Sequence, residues 1–229
     1  MTNELLWVIF ALVNFTLFLL VYKFFGKLGI FIWIVLATIL ANIQVTKLIF
    51  LFGLEANLGN IMYGTIFLGT DVLNELFGKK DAKKAVFIGF FVMIITVIIM
   101  TLAIQFNPHP EDFAQDSLQV IFGFMPRVLL ASLTAFIISQ LVDVNLFDKI
   151  RTKLPANKYL FVRNNLSTIF SQAIDTVIFV PIAFVGVVRT EVLLGLMLST
   201  YLIKVIVALL DTPFIYLMKK VKPIQENSD

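Results

Sequence analysis

Asn164, Thr168, Gln172 and Asp175 recur at intervals of four, four and three residues inside a long apolar run, which puts them along one face of a helix. Amides, a hydroxyl and a carboxylate in one stripe are groups that can bind a polar solute or relay a proton. Facing lipid, each would forfeit hydrogen bonds at about 1–3 kcal/mol apiece, so the stripe must face protein or a cavity. Arg163, Asn165, Ser167, Ser171 and Thr176 flank it. A network that only joins helices is the plainer alternative.

Four other apolar stretches carry similar interruptions. Asn42, Gln44 and Lys47 follow Ala37-x-x-x-Ala41, a small-residue pair that lets helices approach closely. Lys47 can equally reach out to a membrane interface. Asp71 and Glu75 stand four apart on one helical face with Asn74 beside them. They suit a binding or proton-coupling site, or simply a solvated helix end near Lys79. Arg127 follows Pro126 and is either an interfacial group or the counter-ion of a buried carboxylate; Gln140 and Asp143, three apart, come later in that stretch. Lys204 lies mid-run, seven residues before Asp211. It can pair with Asp175 or Asp211, contact a ligand or pass a proton.

Several chemistries are missing. The single histidine, His109, lies in a polar connector and there is no cysteine, so thiolate metal sites, disulfides and the usual catalytic triads lack a member. No phosphate loop, HExxH or nucleophile elbow occurs. An enzymatic role therefore has no constellation to rest on, and no cofactor or metal is implied. Amides and carboxylates beside some of the 24 Phe residues suit a flat heterocycle with several donors and acceptors better than a sugar or an inorganic ion.

The elements that carry these residues are membrane helices. Of 229 residues 59% are hydrophobic and 14% charged, with mean hydropathy +0.95, outside the range of soluble domains. A span needs roughly 20 helical residues. Seven are expected, at about 5–22, 28–52, 58–77, 85–106, 118–142, 161–188 and 192–218, the third short or broken by Gly59, Gly64 and Gly69. Together they form a single all-α transmembrane domain over residues 1–229, with no linker or convincing internal repeat. The first span is not a cleaved leader: Glu4 precedes it and Lys23 and Lys27 follow.

Thirteen of the 18 Lys and Arg residues fall in connectors 23–27, 79–84 and 149–158 and the 219–222 tail. These alternate with connectors 53–57, 107–117 and 189–191, in which only Arg189 is basic. The positive-inside rule then sets the N-terminus outside and the C-terminus in the cytoplasm of a multi-pass cell-membrane protein. The pI near 9.1 reflects these edges rather than a nucleic-acid patch.

The chain resembles the queuosine precursor transporters, vitamin-uptake-like membrane proteins. The resemblance rests on Ala41-Asn42, on the run from Phe67 to Lys80 containing Thr70-Asp71-x-x-Asn74-Glu75-x-Phe77-Gly78, and on Arg127. It continues in Ser139-Gln140-Leu141-Val142-Asp143, Arg163-Asn164-Asn165-Leu166-Ser167-Thr168, Gln172, Asp175-Thr176, Phe179 and Lys204. It covers about 28–220. It implies uptake of a 7-deazaguanine base such as 7-cyano-7-deazaguanine, without a dedicated ATPase. It also implies a six-helix core at 28–218, similar to the substrate-binding subunits of energy-coupling-factor transporters. Residues 5–22 would then be an added N-terminal helix and 219–229 a cytoplasmic tail. Asp175 or Glu75 would read the guanine-like edge, with Asn42, Asn165, Thr168 and Gln172 completing the hydrogen bonds and Arg127 and Lys204 balancing charge or moving protons. Asp71, Asn74, Gln140 and Asn164 belong to the same candidate set. A substrate-binding subunit served by a separate ATPase is the alternative, to which Ala37-x-x-x-Ala41 would lend a docking face. Besides lipid and the small-molecule substrate, a second copy of the chain is a candidate partner, since a small rocking bundle gains from one; oligomeric state is not set by the sequence.

Overall fold

The structure, a computed structural model, describes residues 1–154 and 160–224. Its helices are α1 (Asn3–Gln44), α2 (Asn60–Phe77), α3 (Lys79–Ala103), α4 (Gln115–Lys153), α5 (Leu160–Phe184) and α6 (Thr190–Lys220). Strands β1 (Leu48–Leu51) and β2 (Leu54–Asn57) lie between α1 and α2.

α1 is not one rod. Gly26 has φ 53° and ψ −136°, outside the helical region and in territory that side chains other than hydrogen resist. Residues fifteen apart on a straight helix lie roughly 22 Å from each other. The rings of Phe18 and Trp33 instead stack with centroids 5.5 Å apart, so the chain doubles back at Gly26. Gly29 makes the return tight: a Cβ there would meet the Val21 carbonyl oxygen at 2.4 Å. The two limbs of α1 and α2–α6 thus make seven helical segments among the described residues, an α-helical membrane bundle.

The expected second span, 28–52, ends as helix at Gln44. Residues 48–57, partly expected as span and partly as connector, form an antiparallel hairpin with Leu48 opposite Asn57 and Leu51 opposite Leu54. Its two-residue turn, Phe52-Gly53, has φ of 50° and 78°, the positive pair that matches strand twist in tight hairpins. The first turn of α1 holds this strained tip: Asn3 Nδ2 donates to the Phe50 carbonyl at 2.9 Å and Glu4 Oε1 accepts from the Phe52 N–H at 3.1 Å. The base is held by α6, where Ser199 Oγ donates to the Glu55 carbonyl at 2.6 Å. The third segment, expected short or broken, is the unbroken 18-residue α2, and α4 continues past 142 to Lys153.

The main core joins both limbs of α1 to α2, through Phe18, Ile30, Trp33, Ile34, Met62, Leu68 and Leu73, with Met218 of α6 closing it. Ala37 and Ala41 are fully buried in that core, so this pair serves packing within the chain. A second core packs α4 against α5 and α6 through Val128, Ala131, Ala135, Val180, Ala183 and Leu196. The outward surface is apolar, with Leu12, Phe87, Phe91, Leu102, Leu130 and Leu194 exposed, as side chains that face lipid would be. The segments Asn3–Gln44, Lys79–Ala103 and Gln115–Ser139 are long and apolar enough to cross a membrane; Ile169–Phe184 is a shorter apolar helix.

Candidate functional site

A cavity of about 110 Å³ lies between the second limb of α1, the end of β2, and α2–α6. One water needs roughly 10–15 Å³ on the same measure, so the space takes a ring-sized guest or several waters. α2 gives it a continuous wall because Asn60, Tyr63, Phe67 and Thr70 recur at helical spacing. Phe90 of α3, Phe136 of α4 and Phe179 of α5 complete an aromatic lining. Tyr63 and Phe179 meet edge to face at 6.4 Å, and Phe90 and Phe136 at 4.9 Å.

Asp175 and Lys204 bring charge to this wall. Lys204 Nζ pairs with Asp175 Oδ2, their side chains 12% and 14% exposed, and Ser139 Oγ donates a long bond of 3.4 Å to Asp175 Oδ1. Each ion alone would cost several kcal/mol to strip of water at this depth, so the pair makes both tolerable. Asp175 Oδ1 keeps acceptor capacity towards the cavity.

A second network spans three helices. Tyr63 Oη lies 3.2 Å from Asn42 Oδ1, to which it donates, and 3.1 Å from Ser132 Oγ. Asn42 Nδ2 in turn donates to the Thr38 carbonyl at 2.7 Å. Asn42 is therefore committed at both ends of its amide and reaches the cavity mainly by holding Tyr63 in place.

Not every candidate residue converges here. Asn42, Asp175 and Lys204 line the cavity. Asp71, Asn74 and Glu75 occupy the last turns of α2 and are exposed; Glu75, 51% exposed, pairs with Lys219. Arg127 caps a helix: its Nε donates to the Ile182 carbonyl at 2.7 Å and its Nη2 to the Val185 carbonyl at 2.5 Å. Those carbonyls belong to the end of α5, where helix geometry leaves them without backbone partners. Gln172 is half-buried, with Oε1 lacking a hydrogen-bond partner, and does not line the cavity. The side chains of Gln140, Asp143, Arg163, Asn164, Asn165, Ser167, Thr168 and Asp211 lie outside the described residues.

Sequence reasoning missed Asn57, Asn60, Tyr63, Ser132 and Thr200, all lining the cavity. The 57, 60, 63 spacing was the available signal, obscured because 57 precedes the helix. Asn57 Nδ2 donates to Thr200 Oγ1 at 3.3 Å.

An apolar-sided helix bundle around a small polar and aromatic chamber defines an integral membrane protein with an internal, solute-sized site. The profile of the family described as "Putative vitamin uptake transporter" matches residues 57–218. The chain is 47% identical over 228 residues, covering all of both sequences, to the "Probable queuosine precursor transporter" of Bacillus subtilis (strain 168). It is 24% identical over 164 residues, 71% of this chain and 70% of the relative, to the "Queuosine precursor transporter" of Escherichia coli (strain K12). No solved structure matches it. The chain belongs to the queuosine precursor transporter family.

Proposed function

We propose that this protein imports a queuosine precursor of the 7-deazaguanine class, 7-cyano-7-deazaguanine or a base with the same ring, by secondary or facilitated transport. The observation that carries the reading is the aromatic-walled cavity with the Asp175–Lys204 pair at its side, in a chain of this family. A planar base fits between aromatic rings, and its N–H groups match Asp175 Oδ1. Lys204 balances the carboxylate before substrate binds and yields its place on Asp175 to an N–H of the base. Residues 28–218 form the transport core on this reading, with the first limb of α1 added to it.

On this reading the chain crosses the membrane seven times, with the N-terminus outside and the C-terminus in the cytoplasm. The basic connectors support this: Lys27 pairs with Asp81 at 2.6 Å and Lys219 with Glu75, which gathers three basic clusters at one end of the bundle. Operation without a separate ATPase is supported by Ala37 and Ala41, whose burial inside the chain leaves that pair no outward docking face.

The test is reconstitution. Purified protein in liposomes moves labelled precursor with nothing else added. Uptake that appears only with an added ATPase fraction would instead favour a substrate-binding subunit, and the absence of binding as well as uptake would end the proposal.

A further inference from the structure

Among the polar side chains lining the cavity, two carry buried atoms with no hydrogen-bond partner: Asn57 Oδ1 and Asn60 Nδ2. The two residues are 3% and 4% exposed, so bulk water does not satisfy them. Leaving such a group unpaired costs about as much as one or two good hydrogen bonds contribute, and of the six such atoms among the described residues only these two belong to residues that line the cavity. The neighbouring amide does not share this state, since Asn42 uses both ends of its side chain on Tyr63 and Thr38. Asn57 is also oriented: its Nδ2 is spent on Thr200, which leaves the oxygen as the unused face. The chamber thus presents one vacant acceptor and one vacant donor, from positions three residues apart where β2 runs into α2.

We propose that Asn57 and Asn60 are the specificity pair of this site, Asn57 Oδ1 accepting from the exocyclic amine and Asn60 Nδ2 donating to the ring carbonyl of one planar base. This rests on the transport reading given above. On this proposal two amides read the two ends of one ring edge, whereas a carboxylate, an acceptor only, cannot donate to the carbonyl. An acceptor and a donor also reject different errors: a base without the amine leaves Asn57 unpaired, and one without the carbonyl leaves Asn60 unpaired. Because Asn57 ends the hairpin and Asn60 starts α2, the bound base ties the hairpin to the helical wall.

The experiment is ligand-induced thermal stabilisation of the purified protein, with 7-deazaguanine, 7-deazahypoxanthine (no amine) and 2-amino-7-deazapurine (no carbonyl) as probes. For the native chain each deletion raises the half-saturating concentration about tenfold or more. In Asn57→Leu the amine-free base binds as well as the parent; in Asn60→Leu the penalty on the carbonyl-free base shrinks severalfold, the remainder being the ring N–H which that base also lacks; each variant still discriminates at the other end. Without ligand Asn60→Leu melts no lower than the native protein, because it removes an unpaired polar group, and Asn57→Leu melts lower by no more than the one Thr200 hydrogen bond it loses. Variants that keep native discrimination overturn the proposal, since water then fills the two valences. Variants that melt markedly lower overturn it too, since the amides then serve the fold. If the native protein is stabilised by none of the probes, the transport reading itself fails, a result distinct from either.

Discussion

Lys204 and Asp175 hold opposite charges in a setting where neither would persist alone. Removing one partner strands the other, at about 3–5 kcal/mol, whereas removing both charges together is close to neutral. Lys204→Met therefore lowers the melting temperature sharply, Lys204→Met with Asp175→Asn recovers most of the loss, and both fail in uptake. A single variant as stable as the native protein would show the pair to be loosely solvated. Tyr63→Phe keeps the ring but drops the hydroxyl that links Asn42 to Ser132. It costs about 1–2 kcal/mol in a melting assay and reduces uptake, because the aromatic wall loses its tether. Asp175 and Lys204 were legible from sequence because a charge in an apolar run is expensive and needs a partner. Asn57, Asn60 and Tyr63 were not, because an amide near a span end looks like an ordinary interfacial residue until the helices close around it. Arg127 was legible as important and ambiguous in role; only the proximity of the end of α5 makes it a cap.

At the scale of elements, the first helical reversal depends on how closely two limbs can approach. The Cβ that a substitution at Gly29 adds would lie 2.4 Å from the Val21 carbonyl oxygen, with Phe25 also near. Backbone cannot yield as a side chain can, so Gly29→Leu costs at least the 1–3 kcal/mol typical of overpacking and shows as a lower melting temperature in detergent. An unchanged melt would mean that the limbs are not packed this way. The helices themselves were readable from apolar length. The hairpin was not: Leu48-Ile49-Phe50-Leu51 continues the apolar character of the helix before it, and a short apolar run does not distinguish strand from helix. What separates them is the break at Val45-Thr46-Lys47 and the turn at Phe52-Gly53, both easily passed over beside so long a hydrophobic stretch.

The whole molecule is polarised. One end gathers Lys27, Asp81, Glu75 and Lys219 in exposed ion pairs, while the hairpin, the 107–114 connector and the capped end of α5 lie at connectors poor in basic residues. Each exposed pair contributes little stability, so the pattern concerns orientation more than folding. The chain has no cysteine, so single cysteines report cleanly. His109→Cys should react with an impermeant thiol reagent on intact cells, and Lys80→Cys only after the membrane is opened; the reverse would invert the orientation. The alternating charges are what the sequence offers on orientation, because they sit in connectors whose order along the chain is fixed whatever the packing. The cavity needed the fold, since six helical elements and one strand end each contribute a fragment of its wall.

The hairpin's dependence on Asn3 and Glu4 bears on how the protein is handled in the laboratory. A purification tag fused ahead of Met1 would crowd the two residues that fasten the turn, and one placed after Asp229 would leave them alone. Matched amounts of the two fusions in the same cells should differ in precursor accumulation, the amino-terminal version being the poorer. Equal accumulation would mean that the latch at the tip is dispensable.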